Sequence, residues 1–368
     1  MFIRSFFCIK TYKFLYKGEN YKLNIKGIIL KSVCKKKKIS YKKEDIKNIL
    51  FETSGQIGDT VMNSSFLEEL SKINNDVKID MTVQKNSMEI LKYYPYIKNV
   101  YPYRKYKDKL LRYVNNLLFA LKNRKKYDLI ISMDSGINIS YFLFLKILNP
   151  KYFVSINKKM KYGIKKDEIE IIDFYYSDFN ELSNFLKIEK PSKRYKIYLD
   201  KYEKIAENYF KRDNINIIFN YIGSKKERIL AKEEVKKILK NIVSIDMNID
   251  IYVSSTPAMY IETKEIIKEI NDSRIKILPK TNTIFEVCSY IKYSDIVVSV
   301  DTSIIHIASA YNKPILGFYT SNKKNQQSAS PNSSLYYIVE SPFKDKIKDL
   351  PIDKIKEGLT KIINISKR

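Results

Sequence analysis

Residues 295–319 read DIVVSVDTSIIHIASAYNKPILGFY, and Asp301, Thr302, Ser303 and His306 stand within it where polar side chains can meet an anion. An apolar run, Ile296 to Val300, ends at Asp301-Thr302-Ser303, an amphipathic segment follows at once, and a second apolar run, Pro314 to Phe318, comes next. The pattern predicts a strand–helix–strand unit. Such a unit sets a helix N-terminus, with free N–H groups and the positive dipole end, at the carboxyl edge of a parallel sheet, where phosphates bind. Asp301 is the expected N-cap. Two roles stay open for Asp301-Thr302: capping the helix only, or also presenting its N–H groups to a ligand. His306 likewise is either a packing residue or a donor to a phosphate.

Three further stretches carry candidate chemistry. In Glu52-Thr53-Ser54-Gly55-Gln56-Ile57-Gly58-Asp59 a short apolar strand runs into a loop with two glycines and then a helix. Glycine there lets backbone approach a ligand closely, and Asp59 at the helix mouth is either a cap or a general base held at a cleft. In Gly223-Ser224-Lys225-Lys226-Glu227-Arg228, after another strand, a hydroxyl, backbone amides and three cations suit a diphosphate; the alternative is a solvated loop. Leu278-Pro279-Lys280-Thr281 is a strand end placed to line a base pocket. No stretch offers the paired carboxylates of a Mg²⁺ or Mn²⁺ site, so neither a metal nor a cofactor is expected.

The elements that position these residues alternate. From Lys47 the pattern predicts a strand at 48–52, a helix at 59–72, a strand at 77–83, a helix near 87–94, a short strand at 99–101, a long basic helix at 106–126 and a strand at 129–133. After KIEKPSKRYKIYLD a second series begins: strand 215–221, helix 232–242, strand 249–253, helix 258–270, strand 274–278, helix 284–291, and then the 295–319 unit. Two doubly wound α/β halves are expected, each with a mostly parallel sheet. The division is a basic N-terminal arm, 1–45; a first domain, 46–190; a linker, 191–204; a second domain, 205–345; and a C-terminal segment, 346–368, whose helix at 352–363 packs back on the first domain.

Composition narrows the class. The chain has 368 residues, 44% of them apolar, enough for two domains of ordinary size. No apolar run reaches the roughly 18 residues of a membrane span, and the start, MFIRSFFCIKTYKFLYKGENYK, lacks a signal peptide's uninterrupted apolar block, so a cytoplasmic location is expected. Cys8, Cys34 and Cys288 lie far apart beside a single His, which argues against a disulfide framework or a zinc site. The net charge is +27, from 68 Lys+Arg against 41 Asp+Glu, spread along the chain and dense at Lys35 to Lys38. AT-rich codon usage explains part of it, since Lys, Ile, Asn and Tyr crowd a chain without Trp. No nucleic-acid-binding signature accompanies the charge; an anionic membrane surface is the more economical partner, and two roles stay open for the aromatic, basic arm: meeting that surface, or packing its aromatics on the first domain.

Taken in order, these motifs resemble glycosyltransferase family nine, the heptosyltransferases. SVDTSIIHIASA followed by KPILGFY is similar to that family's C-terminal signature, and NILFETSGQIGDTVMNSSFLEEL to its N-terminal one; YPYIKNVYPY, KYDLIISMDS, GSKKERIL and ILPKTNTIFEV fall in family order between them, over roughly residues 47–365. The resemblance implies a GT-B fold of two Rossmann-like domains facing across a cleft. It implies an inverting, metal-independent transfer from a nucleotide sugar, ADP-heptose in typical members, to a lipopolysaccharide core or lipid-linked glycan. Asp59, after Gly58, matches the catalytic base; Thr302, Ser303 and His306 match the segment around the donor phosphates, together with Asp301; Arg228, beside Ser224, matches the cationic donor contact, and Thr281 falls in the segment expected near the base. Ser303 stands where the family has Gly, Ile229-Leu230-Ala231 replaces the usual aromatic and Pro, and Glu262 is the nearest acidic residue after Pro257 for the ribose. Two rivals are a GT-B transferase for another nucleotide sugar and glycan, and a non-catalytic basic binding protein on the same fold.

Overall fold

The computed structural model describes residues 40–103, 109–133, 139–156, 174–211 and 213–366. Most of the basic arm, 1–39, lies outside the described residues. The chain forms two compact units: one holds residues up to 54, 66–88 and 95–191, the other 55–65, 89–94 and everything from 192 onward.

The sheet of the first unit contains β1 (Asn48–Glu52), β2 (Lys78–Val83), β3 (Ile97–Pro102), β4 (Leu129–Ser132), β5 (Tyr152–Ile156) and β6 (Phe174–Tyr176), all parallel, in the order β3-β2-β1-β4-β5-β6. Ile49, Leu50 and Phe51 of β1 are fully buried, as expected of a central parallel strand covered on both faces. The chain passes from β1 into α1 (Ile57–Met62), which belongs to the second unit, and α2 (Ser64–Leu70). Phe66 of α2 reaches Phe51 of β1 and stacks on Phe179, with ring centroids 6.2 and 4.3 Å away. The helices α3 (Lys109–Lys122), α4 (Ile139–Leu148) and α5 (Phe179–Leu186) complete the first unit.

The second unit repeats this plan. Its strands are β7 (Ile215–Asn220), β8 (Ile249–Val253), β9 (Ile275–Ile277), β10 (Ile296–Val300), β11 (Ile315–Tyr319) and β12 (Tyr336–Glu340), in the order β12-β11-β10-β7-β8-β9 and again all parallel. Both orders are that of a doubly wound Rossmann sheet, in which the winding reverses between the first and fourth strands, here between β7 and β10. The helices are α6 (Lys232–Val243), α7 (Tyr260–Ile270), α8 (Ile284–Tyr293), α9 (Ser303–Ala310), α10 (Lys323–Ala329) and α11 (Ile352–Ser366).

Three expectations change. The helix anticipated at 59–72 is two helices broken at Asn63: the Ser64 hydroxyl donates to the Val61 carbonyl (2.6 Å) and accepts from the Lys196 N–H (2.7 Å), a local side-chain competitor to the helical ladder. The region 87–94 holds only single 3₁₀ turns, at Lys85–Ser87 and Glu89–Leu91. The C-terminal helix, expected to pack back on the first domain, belongs to the second unit. Ile355, Leu359, Ile362 and Ile363 of α11 join the core of the second unit with Leu316, Phe318, Val339, Val235 and Leu239. Its apolar stripe is covered there by β11, β12 and α6, the surface its short connection from β12 can reach. The sequence pattern also left β5, β6, α4, α5, α10 and β12 unassigned.

Candidate active site

The point where the winding of the second sheet reverses gathers the loop after β7, the loop after β10 and helix α1. β10 is buried throughout and apolar except for Ser299, and its ladder continues one residue further, because the Asp301 N–H donates to the Phe318 carbonyl (3.0 Å). Asp301 is therefore still in the sheet. Thr302, not Asp301, caps α9: its backbone is extended and its hydroxyl accepts from the Ile304 N–H at 3.2 Å. Ser303 opens the helix, half-buried.

The Asp301 carboxylate instead meets Arg228, which comes from the 3₁₀ turn Lys226–Arg228 after β7. Arg228 Nη1 lies 3.0 Å from Asp301 Oδ2 and donates to the Asp301 carbonyl at 3.2 Å. Burial pushes the Asp301 carboxyl up from the usual carboxylate range; the Arg228 guanidinium opposes this and the Asp59 charge adds to it. Gly223 is required by the same loop, since a Cβ there would come within 2.4 Å of the Arg228 Cβ and 2.7 Å of its carbonyl oxygen. The loop thus folds tightly enough to carry Arg228 back over the end of β10. Ser224 and the lysines beside it are exposed on its outer side.

Gly58 and Asp59 reach this site on α1. Asp59 is the third residue of that helix and its Oδ2 accepts from the Gln56 N–H at 2.8 Å, half of a reciprocal capping box. Its carboxylate remains exposed. Capping and availability to a ligand are therefore both satisfied. Gly58 is buried against His306: a Cβ there would stand 2.7 Å from the imidazole Cδ2. His306 itself is only 4% exposed, and among the described residues its Nδ1 has no hydrogen-bond partner. Burial holds its pKa down to about 4 despite the opposing pull of Asp59, so the ring is neutral at physiological pH.

Asn220, at the end of β7, is a component the sequence motifs did not single out. Its Nδ2 donates to Ser299 Oγ (3.0 Å) and Thr302 Oγ1 (3.3 Å), while its Oδ1 accepts from Ser254 Oγ (3.2 Å). It ties the ends of β7, β8 and β10 into one frame. The only sequence signal was an amide closing the apolar run NIIFN. Thr281 is half-buried just after β9, the edge strand beyond β8 in the same sheet. Thus Gly58, Asp59, Arg228, Asp301, Thr302, Ser303 and His306 gather at one place, and Ser224 borders it. Among the described residues no group of three or more His, Cys, Asp or Glu is arranged to hold a metal ion.

A polar frame at the reversal point, with one exposed carboxylate opposite a helix N-terminus and a guanidinium, is suited to moving a group from a diphosphate to a hydroxyl. Over 331 residues the chain is 24% identical to an Escherichia coli (strain K12) protein described as a candidate lipopolysaccharide heptosyltransferase 4, covering 87% of this chain and 88% of that one. Its fold is similar to the solved structure of E. coli ADP-heptose lps heptosyltransferase II (TM-score 0.64, 12% identity, 88% and 100% of the two chains). It is also similar to E. coli heptosyltransferase WaaC with ADP (TM-score 0.58, 14% identity, 86% and 99%). The two Rossmann-like units therefore make a GT-B fold. The profile of glycosyltransferase family 9 (heptosyltransferase) matches residues 152–349, more than half of the chain, and the chain belongs to that family.

Proposed function

We propose that this glycosyltransferase moves heptose from ADP-heptose to a lipopolysaccharide core or related surface glycan, with inversion and without a metal. The observation that carries the reading is the meeting of Asp59 with His306, Asp301 and Arg228 in one unit. Asp59 takes the proton of the acceptor hydroxyl as its oxygen bonds to the anomeric carbon. The bond from that carbon to the diphosphate breaks on the opposite side, and the configuration inverts. Negative charge grows on the leaving diphosphate, where Arg228 and the positive N-terminal end of α9 neutralise it. Arg228 is aimed for this by Asp301, which engages Nη1; among the described residues its other nitrogens have no partner.

Ser303, in place of the family's glycine, adds a hydroxyl at the phosphate end of α9, and this favours a second reading in which another nucleotide sugar is the donor. Incubating the protein with a panel of nucleotide sugars and a lipopolysaccharide-core acceptor decides between them. ADP-heptose alone should give a product of inverted configuration; turnover with a different donor and none with ADP-heptose overturns the assignment.

The acceptor of the first reading is lipid-linked, which places the enzyme at the cytoplasmic face of a membrane. The sequence of the arm suits such a surface, since it interleaves Phe2, Ile3, Phe6, Phe7, Tyr12, Phe14, Leu15 and Tyr16 with Lys10, Lys13 and Lys17 and adds the run Lys35 to Lys38. No helix among the described residues is long and apolar enough to cross a membrane.

A further inference from the structure

Helix α3 is turned the wrong way for a helix of a water-soluble surface. Its inward side is anchored by Ala120, fully buried, and by Phe119, whose ring meets Tyr101 edge-on at 5.2 Å and stacks near Phe144 at 6.2 Å. Its outward side is also apolar. Leu111, Val114, Leu117, Leu118 and Leu121 are 55, 44, 46, 58 and 54% exposed. They are five of the eleven large apolar side chains that stay exposed among the described residues, and they fall on one helix. Positions 111, 114, 118 and 121 follow the i, i+3, i+7, i+10 spacing of a single stripe, with Leu117 on its flank. A contiguous apolar stripe on an outer surface marks an interaction face rather than chance exposure.

Charge selects the occupant. From Lys109 to Tyr127 the chain carries Lys109, Arg112, Lys122, Arg124, Lys125 and Lys126 and no acidic residue. Lys122, Arg124 and Lys125 are exposed where the stripe ends. A second copy meeting this face about a two-fold axis would set these cations against their own kind. Residues 1–39 as a covering segment would do the same, because that arm is itself basic. An anionic bilayer satisfies both features: apolar side chains enter the acyl boundary while Lys and Arg stems extend to headgroup phosphates.

We propose that α3 lies in the membrane interface as a docking surface for anionic lipid in addition to the basic arm. The inference deepens the lipid-linked-acceptor reading above and rests on it for its purpose, but its test needs no turnover. The chain contains no tryptophan, so Leu118→Trp in the full-length protein is a sole tryptophan reporter when excited at the red edge of indole absorption, where tyrosine does not absorb. Vesicles of phosphatidylcholine mixed with phosphatidylglycerol should shift its emission to the blue and expose it to quenching by brominated lipid, whereas phosphatidylcholine alone should give little change. In sedimentation with the same vesicles, Leu117→Glu with Leu118→Glu should lower the bound fraction by roughly tenfold or more, and Lys122→Glu with Arg124→Glu should remove its salt sensitivity. Circular dichroism should show these exposed-site variants folded. A delipidated oligosaccharide acceptor should be turned over by the Leu117→Glu/Leu118→Glu variant as by the parent, which separates failure of docking from failure of the enzymatic reading. Unchanged emission with anionic vesicles, or undiminished sedimentation of that variant, overturns the proposal. So does a concentration-dependent dimer in ultracentrifugation that Leu118→Glu abolishes, which would assign the stripe to a second copy.

Discussion

Asp59 does two things with one carboxylate, and substitution can separate them. Asn at this position keeps an oxygen for the Gln56 N–H, and so keeps most of the cap, but cannot accept a proton. Asp59→Asn should therefore fold normally and lower turnover by a factor on the order of 10² to 10⁴ with donor affinity nearly intact; steady-state kinetics beside nucleotide titration checks this, and near-normal turnover would remove Asp59 from the chemistry. Arg228→Ala removes the guanidinium and leaves Asp301, 6% exposed, without its partner. Nucleoside-diphosphate binding should weaken by roughly 1.5–3 kcal/mol in calorimetry, the scale of a charge-assisted hydrogen bond. His306 predicts a pH effect. Its folded pKa is about 4 against an ordinary 6.5. Between these values the unfolded chain takes up a proton that the folded one refuses, so stability is complete above the upper value and falls as pH drops through the window. The loss is at most about 3 kcal/mol. Denaturant unfolding at several pH values should show a shallower acid slope in His306→Gln than in the parent; equal slopes would mean the ring does not titrate as its burial requires.

At the scale of elements, the site depends on how closely α1 approaches α9. Gly58 permits that approach, and Gly58→Ala should push a methyl into the His306 ring, costing about 1–3 kcal/mol and lowering turnover together with stability. A melting temperature and turnover equal to the parent's would show that the two helices separate at no cost. The terminal helix tests a different packing. Leu359 is fully buried in the core of the second unit. Leu359→Ala should destabilise by about 2–4 kcal/mol and speed hydrogen exchange in β11, β12 and α6 while leaving β1 to β5 unaffected. The same helix marks a limit of pattern reading. The stripe Ile355, Leu359, Ile362 and Ile363 is plain in the sequence, but a stripe names a face and not its partner. The break at Asn63 was hidden for a related reason, because Val61, Met62, Phe66 and Leu70 keep helical spacing straight across it.

Across the whole molecule, two Rossmann-like units share one strand order, and the site sits where theory for doubly wound sheets puts it. Strand–helix alternation was legible because parallel strands buried on both faces read as apolar runs, and amphipathic helices as stripes. Where the units divide along the chain was less so. Residues 55–65 group with the second unit although they follow a strand of the first, since membership is decided by packing and not by adjacency.

What the sequence determined by itself is therefore local and chemical: Asp-Thr-Ser closing one strand, Gly-Asp opening one helix, an Arg-bearing loop after another strand, each set by spacing along a few residues. Only the tertiary structure decided that Asp301 turns to Arg228 while Thr302 caps the helix, that Asn220 braces the three strand ends, and that His306 is buried beside Gly58. Those outcomes are contacts between segments far apart in the chain, and burial and charge at each depend on the neighbours the fold supplies. Hydrophobic periodicity records that a face will be covered; it carries no record of which residues will cover it.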